Sequence, residues 1–228
     1  YTLTLCYAED EACTFTPEPD DISLAGYDPQ LFAKDGWVLL GWYEPDSEQP
    51  LLDADGVPAI EKEGILANGS FALEQDITLY AKWRRTVLTK TDRLQAGERY
   101  LIAGDDALLT GSLETVEPSP AEGLTAIEDG YLVAQGAADL DDLLWTAENN
   151  GYGYARKNNG KYLSMSTGTK KNLQLSSYAR SWNYSDRNLY TTYYTTRYYL
   201  EASDSGAKIR SNSSVIQLYQ LTEEIRGI

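Results

Sequence analysis

From Thr86 to Leu221 the chain is cut into about a dozen short runs of β-forming residues, and none of it carries helical periodicity. The runs include 99–103, 130–134, 143–147, 153–156, 161–164, 172–176, 187–190, 197–201, 207–210 and 215–221. Gly, Asn, Asp and Ser separate them, and such residues turn the backbone rather than extend it. Short strands at this spacing predict an all-β barrel or sandwich. A weak internal repeat is also present. Glu98-Arg99-Tyr100-Leu101, Gly160-Lys161-Tyr162-Leu163 and Arg197-Tyr198-Tyr199-Leu200 share a polar-Tyr-Leu core, which favours a β-trefoil, with another barrel as the alternative.

Residues 1–84 read differently. Apolar and polar residues alternate over 1–7, and two apolar runs follow at 37–43 and 77–83. Between them lie Pro45, Pro50, Asp55-Gly56 and Asn68-Gly69, all turn signals. Residues 28–34 are expected to form one short helix that buries Leu31 and Phe32. The segments Gly36-Trp37-Val38-Leu39-Leu40-Gly41-Trp42-Tyr43 and Leu79-Tyr80-Ala81-Lys82-Trp83 resemble the internal and closing motifs of the internalin-type B repeat (the Listeria–Bacteroides repeat). That resemblance covers 1–84 and implies a small β-grasp-like α+β domain in an extracellular protein of a bacterial surface. One departure is the Cys6–Cys13 stretch, which stands where the repeat has a glycine-rich turn.

Residues 85–228 form the second expected domain, joined at Arg84-Arg85 with hardly any linker. Its segments 97–103 (Gly-Glu-Arg-Tyr-Leu-Ile-Ala), 144–146, 160–164 and 218–221 resemble an uncharacterised all-β module of secreted proteins from gut bacteria. The resemblance implies fold and location, not an activity. The overall expectation is a mainly β chain of two domains with further domains of a longer chain as neighbours.

Charge is unevenly distributed. The chain carries a net −16, with 17 acidic and 5 basic side chains in 1–85 and 13 acidic and 3 basic in 86–150. Residues 151–228 reverse the sign, with 11 basic and 5 acidic. The acidic majority argues against nucleic acid and anionic membranes as partners, while the basic part suits an anionic glycan. No stretch is long and apolar enough to insert in a membrane.

The chain has no histidine. That removes the usual general base and the Ser-His and Cys-His nucleophile pairs, so a non-catalytic role is expected, with no cofactor and no metal. Asp53-Ala54-Asp55-Gly56 lacks the bidentate Glu that a calcium loop requires, since position twelve is Gly64. Asp105-Asp106 and Asp139, Asp141 and Asp142 are the carboxylate clusters that a remote glycoside hydrolase reading would use. Cys6 and Cys13 could face each other across a hairpin, so a disulfide is expected, with two free thiols as the alternative.

The strongest candidate surface is the stretch 182–199. Trp182, Tyr184, Tyr190, Tyr193, Tyr194 and Tyr198, with Tyr199, alternate with Arg187 and Arg197. Aromatic faces stack on sugar rings and suit protein contacts, so a glycan or host surface protein is the expected partner. The competing expectation is that these tyrosines pack across strands, leaving purely structural stalk domains.

Overall fold

The computed structural model describes residues 1–137, 140–150 and 154–228. Half of the residues are in strands and 5% in helices, so the chain is mainly β. It divides into two compact units, residues 1–85 with 223–228, and residues 86–222. The sequence predicts a second domain over residues 85–228. The last six residues return to the first instead, where Glu223 and Glu224 pair with Arg84 and Arg85. Among the described residues no helix is long and apolar enough to cross a membrane.

In the first unit the strands are β1 (Leu3–Ala8), β2 (Glu11–Phe15), β3 (Val38–Tyr43), β4 (Leu66–Ala67), β5 (Ser70–Phe71) and β6 (Ile77–Thr91, to residue 85). β6 is central, with β1 parallel on one side and β3 antiparallel on the other. Its apolar residues Ile77, Leu79, Ala81 and Trp83 fall at every second position and face the core, while Thr78 is exposed. β4 and β5 are joined by Asn68-Gly69, both at positive φ (55° and 75°), the two-residue turn whose twist matches paired strands.

The expected helix is a single 3-10 turn, Pro29–Phe32. Asp28 caps it by accepting from the Gln30 amide at 2.9 Å, and Phe32 is driven into the core. There it meets the rings of Trp42, Tyr27 and Tyr7, with the Trp42 centroid 4.8 Å away. The Trp42 indole donates to the Tyr27 hydroxyl at 2.9 Å, which donates to the Ala54 carbonyl at 2.7 Å. Burial pushes the Tyr27 phenol up to about 12, the Trp42 bond opposes the rise, and Asp53 and Asp55 add to it. A raised folded value favours the neutral phenol. Tyr27 therefore stabilises the fold below pH 10, its ordinary value, and that contribution fades as pH approaches 12. Absorbance titration should show Tyr27 among the late-ionising tyrosines, and Tyr27→Phe should reduce that late-ionising group by one.

The cysteine expectation is corrected. In the β1–β2 hairpin Cys6 lies opposite Ala12, and Cys13 lies opposite Leu5. A shift of one residue sends side chains to opposite faces of a strand pair, so Cys13 packs on the core with Leu5 while Cys6 points away. Both thiols are free. A thiol assay on the denatured, unreduced chain should count two reactive groups; a count of zero would restore the bridge.

The second unit adds β7 (Arg99–Ala103), β8 (Leu108–Leu109), β9 (Thr115–Val116), β10 (Leu124–Ile127), β11 (Gly130–Val133), β12 (Leu144–Asn149), β13 (Tyr154–Asn158), β14 (Lys161–Met165) and β15 (Leu173–Ser176). β16 (Asn183–Ser185), β17 (Asn188–Tyr193), β18 (Thr196–Ser203), β19 (Gly206–Arg210) and β20 (Gln217–Gly227) complete it, the last to residue 222. The larger sheet runs β10-β11-β6-β20-β7-β12-β13-β14-β15, with residues 86–91 of β6 contributing here. The smaller sheet runs β16-β17-β18-β19. Neither closes into a barrel, so the expected barrel is corrected to open sheets around two cores.

β7 explains the arrangement. Its Tyr100 and Ile102 enter one core with Trp145, Leu163, Trp182 and Leu200, while Leu101 and Ala103 enter the other with Leu88, Leu124 and Leu144. A strand buried on both faces reads as an unbroken apolar run, as Tyr-Leu-Ile-Ala does. The three Tyr-Leu copies lie on β7, β14 and β18, but in different phase. Tyr100 of the first copy enters the core that Leu163 and Leu200 of the others enter.

Candidate functional site

Strand alternation disperses the aromatic stretch. On β17 and β18, Tyr190 pairs with Tyr199 and Thr192 with Arg197, which sets these four on one face of the smaller sheet. The Tyr190 and Tyr199 rings are 5.7 Å apart, and the Arg197 guanidinium lies 4.7 Å over Tyr190. Tyr193 and Tyr198 occupy positions of the opposite face with buried Leu189, Thr191 and Leu200. The stretch 191–196 is the β17–β18 hairpin in the interior of that sheet.

Trp182 is a correction. It is fully buried (0% exposed) in the core, and its indole donates to the Leu163 carbonyl at 2.9 Å, so it offers no surface to a ligand. Tyr184 is half-buried, and its hydroxyl donates to the Ile216 carbonyl at 2.8 Å. Tyr194, at 86% exposure, caps the β17–β18 turn at φ 54°, with its ring 4.5 Å from Tyr193. The sequence-selected residues thus form no single site.

Arg187 lines a cavity. It lies in a cleft of about 720 Å³, within the range of small-ligand pockets. Asp105, Asp106, Lys90, Tyr131 and Tyr219 line the same cleft. Their positions follow from the backbone. Gly104 packs against β18 so closely that a Cβ there would lie 2.6 Å from the Ala202 carbonyl carbon. The Asp105 amide then donates to the Ala202 carbonyl at 3.1 Å, which fixes the Asp105-Asp106 turn at the rim. Asp186 and Arg187 form the two-residue β16–β17 turn with φ of 52° and 58°. Both positions favour Asn or Gly, and an Arg there carries backbone strain.

Between the acidic and basic rims stand Tyr131 and Tyr219, edge to face with centroids 5.1 Å apart. Burial raises the Tyr131 phenol above the ordinary tyrosine value, and Tyr219 and Asp106 raise it further. Burial also raises Tyr219, which Arg187 opposes. Both phenols are therefore neutral donors near pH 7. Glu201 also borders the cleft, but it is engaged by Lys208 at 2.8 Å and Arg210 at 3.2 Å. Asp105, Asp106 and Arg187 have no ion-pair partner among the described residues, which leaves them available to a hydroxyl-rich ligand.

Of the other carboxylates, Asp141 pairs with Arg99 on the surface, and Asp139 lies outside the described residues. Asp53 accepts from the Asp55 and Val57 amides at 2.9 Å each, so it serves its own turn. Among the described residues no cluster of three potential metal ligands forms. Sequence reading did not select Tyr131 and Tyr219, whose only local signal is alternation within ordinary strands. Compared with family models, with curated proteins and with solved structures, the chain matches none.

Proposed function

We propose that the chain is a non-catalytic extracellular module of a bacterial surface protein, with the second unit binding a glycan or a host surface protein and the first acting as a spacer. The observation that carries this reading is the cleft in which unpaired Asp106 and Arg187 flank the edges of Tyr131 and Tyr219. A carboxylate accepts from vicinal sugar hydroxyls, a guanidinium donates to ring and hydroxyl oxygens, and aromatic rings cover the apolar faces. The B-repeat motifs support the extracellular setting. For the first unit, the parallel β1–β6 pair and the buried 3-10 turn support a β-grasp-like reading. The phase difference among the Tyr-Leu copies leads us to propose no threefold relation in the second unit.

The test is a glycan array with the full chain, followed by Arg187→Gly. Relief of the left-handed strain should leave stability unchanged or raise it by about 1 kcal/mol in thermal unfolding. Binding in the cleft should fall about tenfold or more through loss of charge-assisted hydrogen bonds. Binding indifferent to Arg187→Gly and to Asp106→Asn would sink the cleft as the site. A second reading, structural stalk domains without a ligand, is favoured by the burial of Trp182 and the tyrosine pairing on the smaller sheet. Silence across the array would select it.

A further inference from the structure

The second unit has another groove, of about 540 Å³, and its chemistry is unlike that of the cleft. Its walls are hydroxyls and amides, among them Ser164, Ser176, Thr192, Gln174 and Asn183. Arg180 is its one cationic lining residue, and Tyr178, 83% exposed, stands at its edge. No lining residue carries a carboxylate.

That absence extends well beyond the groove. In a chain of net charge −16, residues 149–185 contain no Asp or Glu and six Lys or Arg. The fold turns this stretch into β13, β14, β15 and the segment leading to β16, which supply most of the groove. Several of the six cations are occupied or hidden. Arg156 is fully buried, the Lys161 amine donates to Ser177 at 3.3 Å, and the Lys171 amine donates to the Thr167 and Gly168 carbonyls while lying 4.4 Å over the Tyr193 ring. Arg180 remains in the groove, half-buried and without an ion-pair partner among the described residues, with Lys170 exposed nearby in sequence.

We propose that this groove is a second binding site, for a short or terminal acidic sugar that carries a carboxylate or a sulfate. Arg180 holds the anion through its planar fork, the hydroxyls and amides bond the sugar's own hydroxyls, and Tyr178 covers a ring face. An extended polyanion is disfavoured. Arg180 is the one cation lining the groove, so each further anionic group would enter it without a counter-charge. The site is separate from the cleft and does not depend on it.

Calorimetric titration of the full chain with a uronate-terminated disaccharide, its sulfated counterpart and the neutral parent distinguishes the sources of the charge. At least one acidic sugar should bind about tenfold more tightly than the neutral parent, and more weakly at 0.5 M salt. Arg180→Ala should erase the difference. Thr192→Glu, at an exposed lining position, should do the same by placing a carboxylate in the groove. Arg187→Gly should leave it intact, which separates this site from the cleft. Equal binding of the neutral parent, no binding of any of the three, indifference to both groove substitutions, or displacement of the sugar by a short single-stranded oligonucleotide would each overturn the proposal.

Discussion

Trp182→Ala is expected to destabilise the second unit by about 3–5 kcal/mol, as deletion of a large buried aromatic does. Trp182 is sealed among Trp145, Leu163, Leu189 and Leu200, and its indole satisfies the Leu163 carbonyl. Truncation leaves a cavity and removes the indole's bond to that carbonyl. Denaturant unfolding followed by circular dichroism should show the midpoint fall. Tyr194→Ala, at an exposed turn, should shift stability by no more than about 0.5 kcal/mol. A Trp182→Ala chain with unchanged stability and lost ligand binding would return Trp182 to the surface.

Gly104→Ala should destabilise the same unit by about 3 kcal/mol, at the upper end of overpacking effects. The obstacle is backbone, the Ala202 carbonyl group, and it cannot rotate away as a side chain can. To admit a methyl group β18 must move from the Gly104–Ala107 turn, breaking the bond from the Asp105 amide to Ala202. The cleft then loses the anchor of its acidic rim, so binding there should fall even in the folded fraction. The groove around Arg180 is built from other segments and should keep its affinity. Thermal unfolding and titration of each site check both halves; a Gly104→Ala chain as stable as the parent would show that β18 has room to yield.

What the sequence discloses depends on whether the cause is local. Tyr-Leu-Ile-Ala announces a strand buried on both faces because every residue carries the signal itself. Asn68-Gly69 announces its turn because two residues suffice to set two positive φ angles. Cys6 and Cys13 show the limit. Their spacing allows a hairpin, but the register inside it decides which faces they occupy, and one residue of register reverses the answer. The tyrosine stretch fails in the same way, since alternation sends Tyr190 and Tyr193 to opposite faces of one strand. The cleft was least legible, because Asp106, Tyr131, Arg187 and Tyr219 come from segments far apart in sequence. Only Asp105-Asp106 and Arg187 drew notice, and for unrelated reasons.

The return of residues 223–228 to the first unit has a mechanical consequence. Tension applied at Tyr1 and Ile228 enters and leaves through that unit, because both ends belong to it. Within it β1 lies parallel to β6, and Arg84 and Arg85 pair with Glu223 and Glu224. Residues 86–222 are inserted, in sequence, between the two segments of that unit. The second unit is thus an insert in the first, which is complete only once the residues on both sides of that insert have come together.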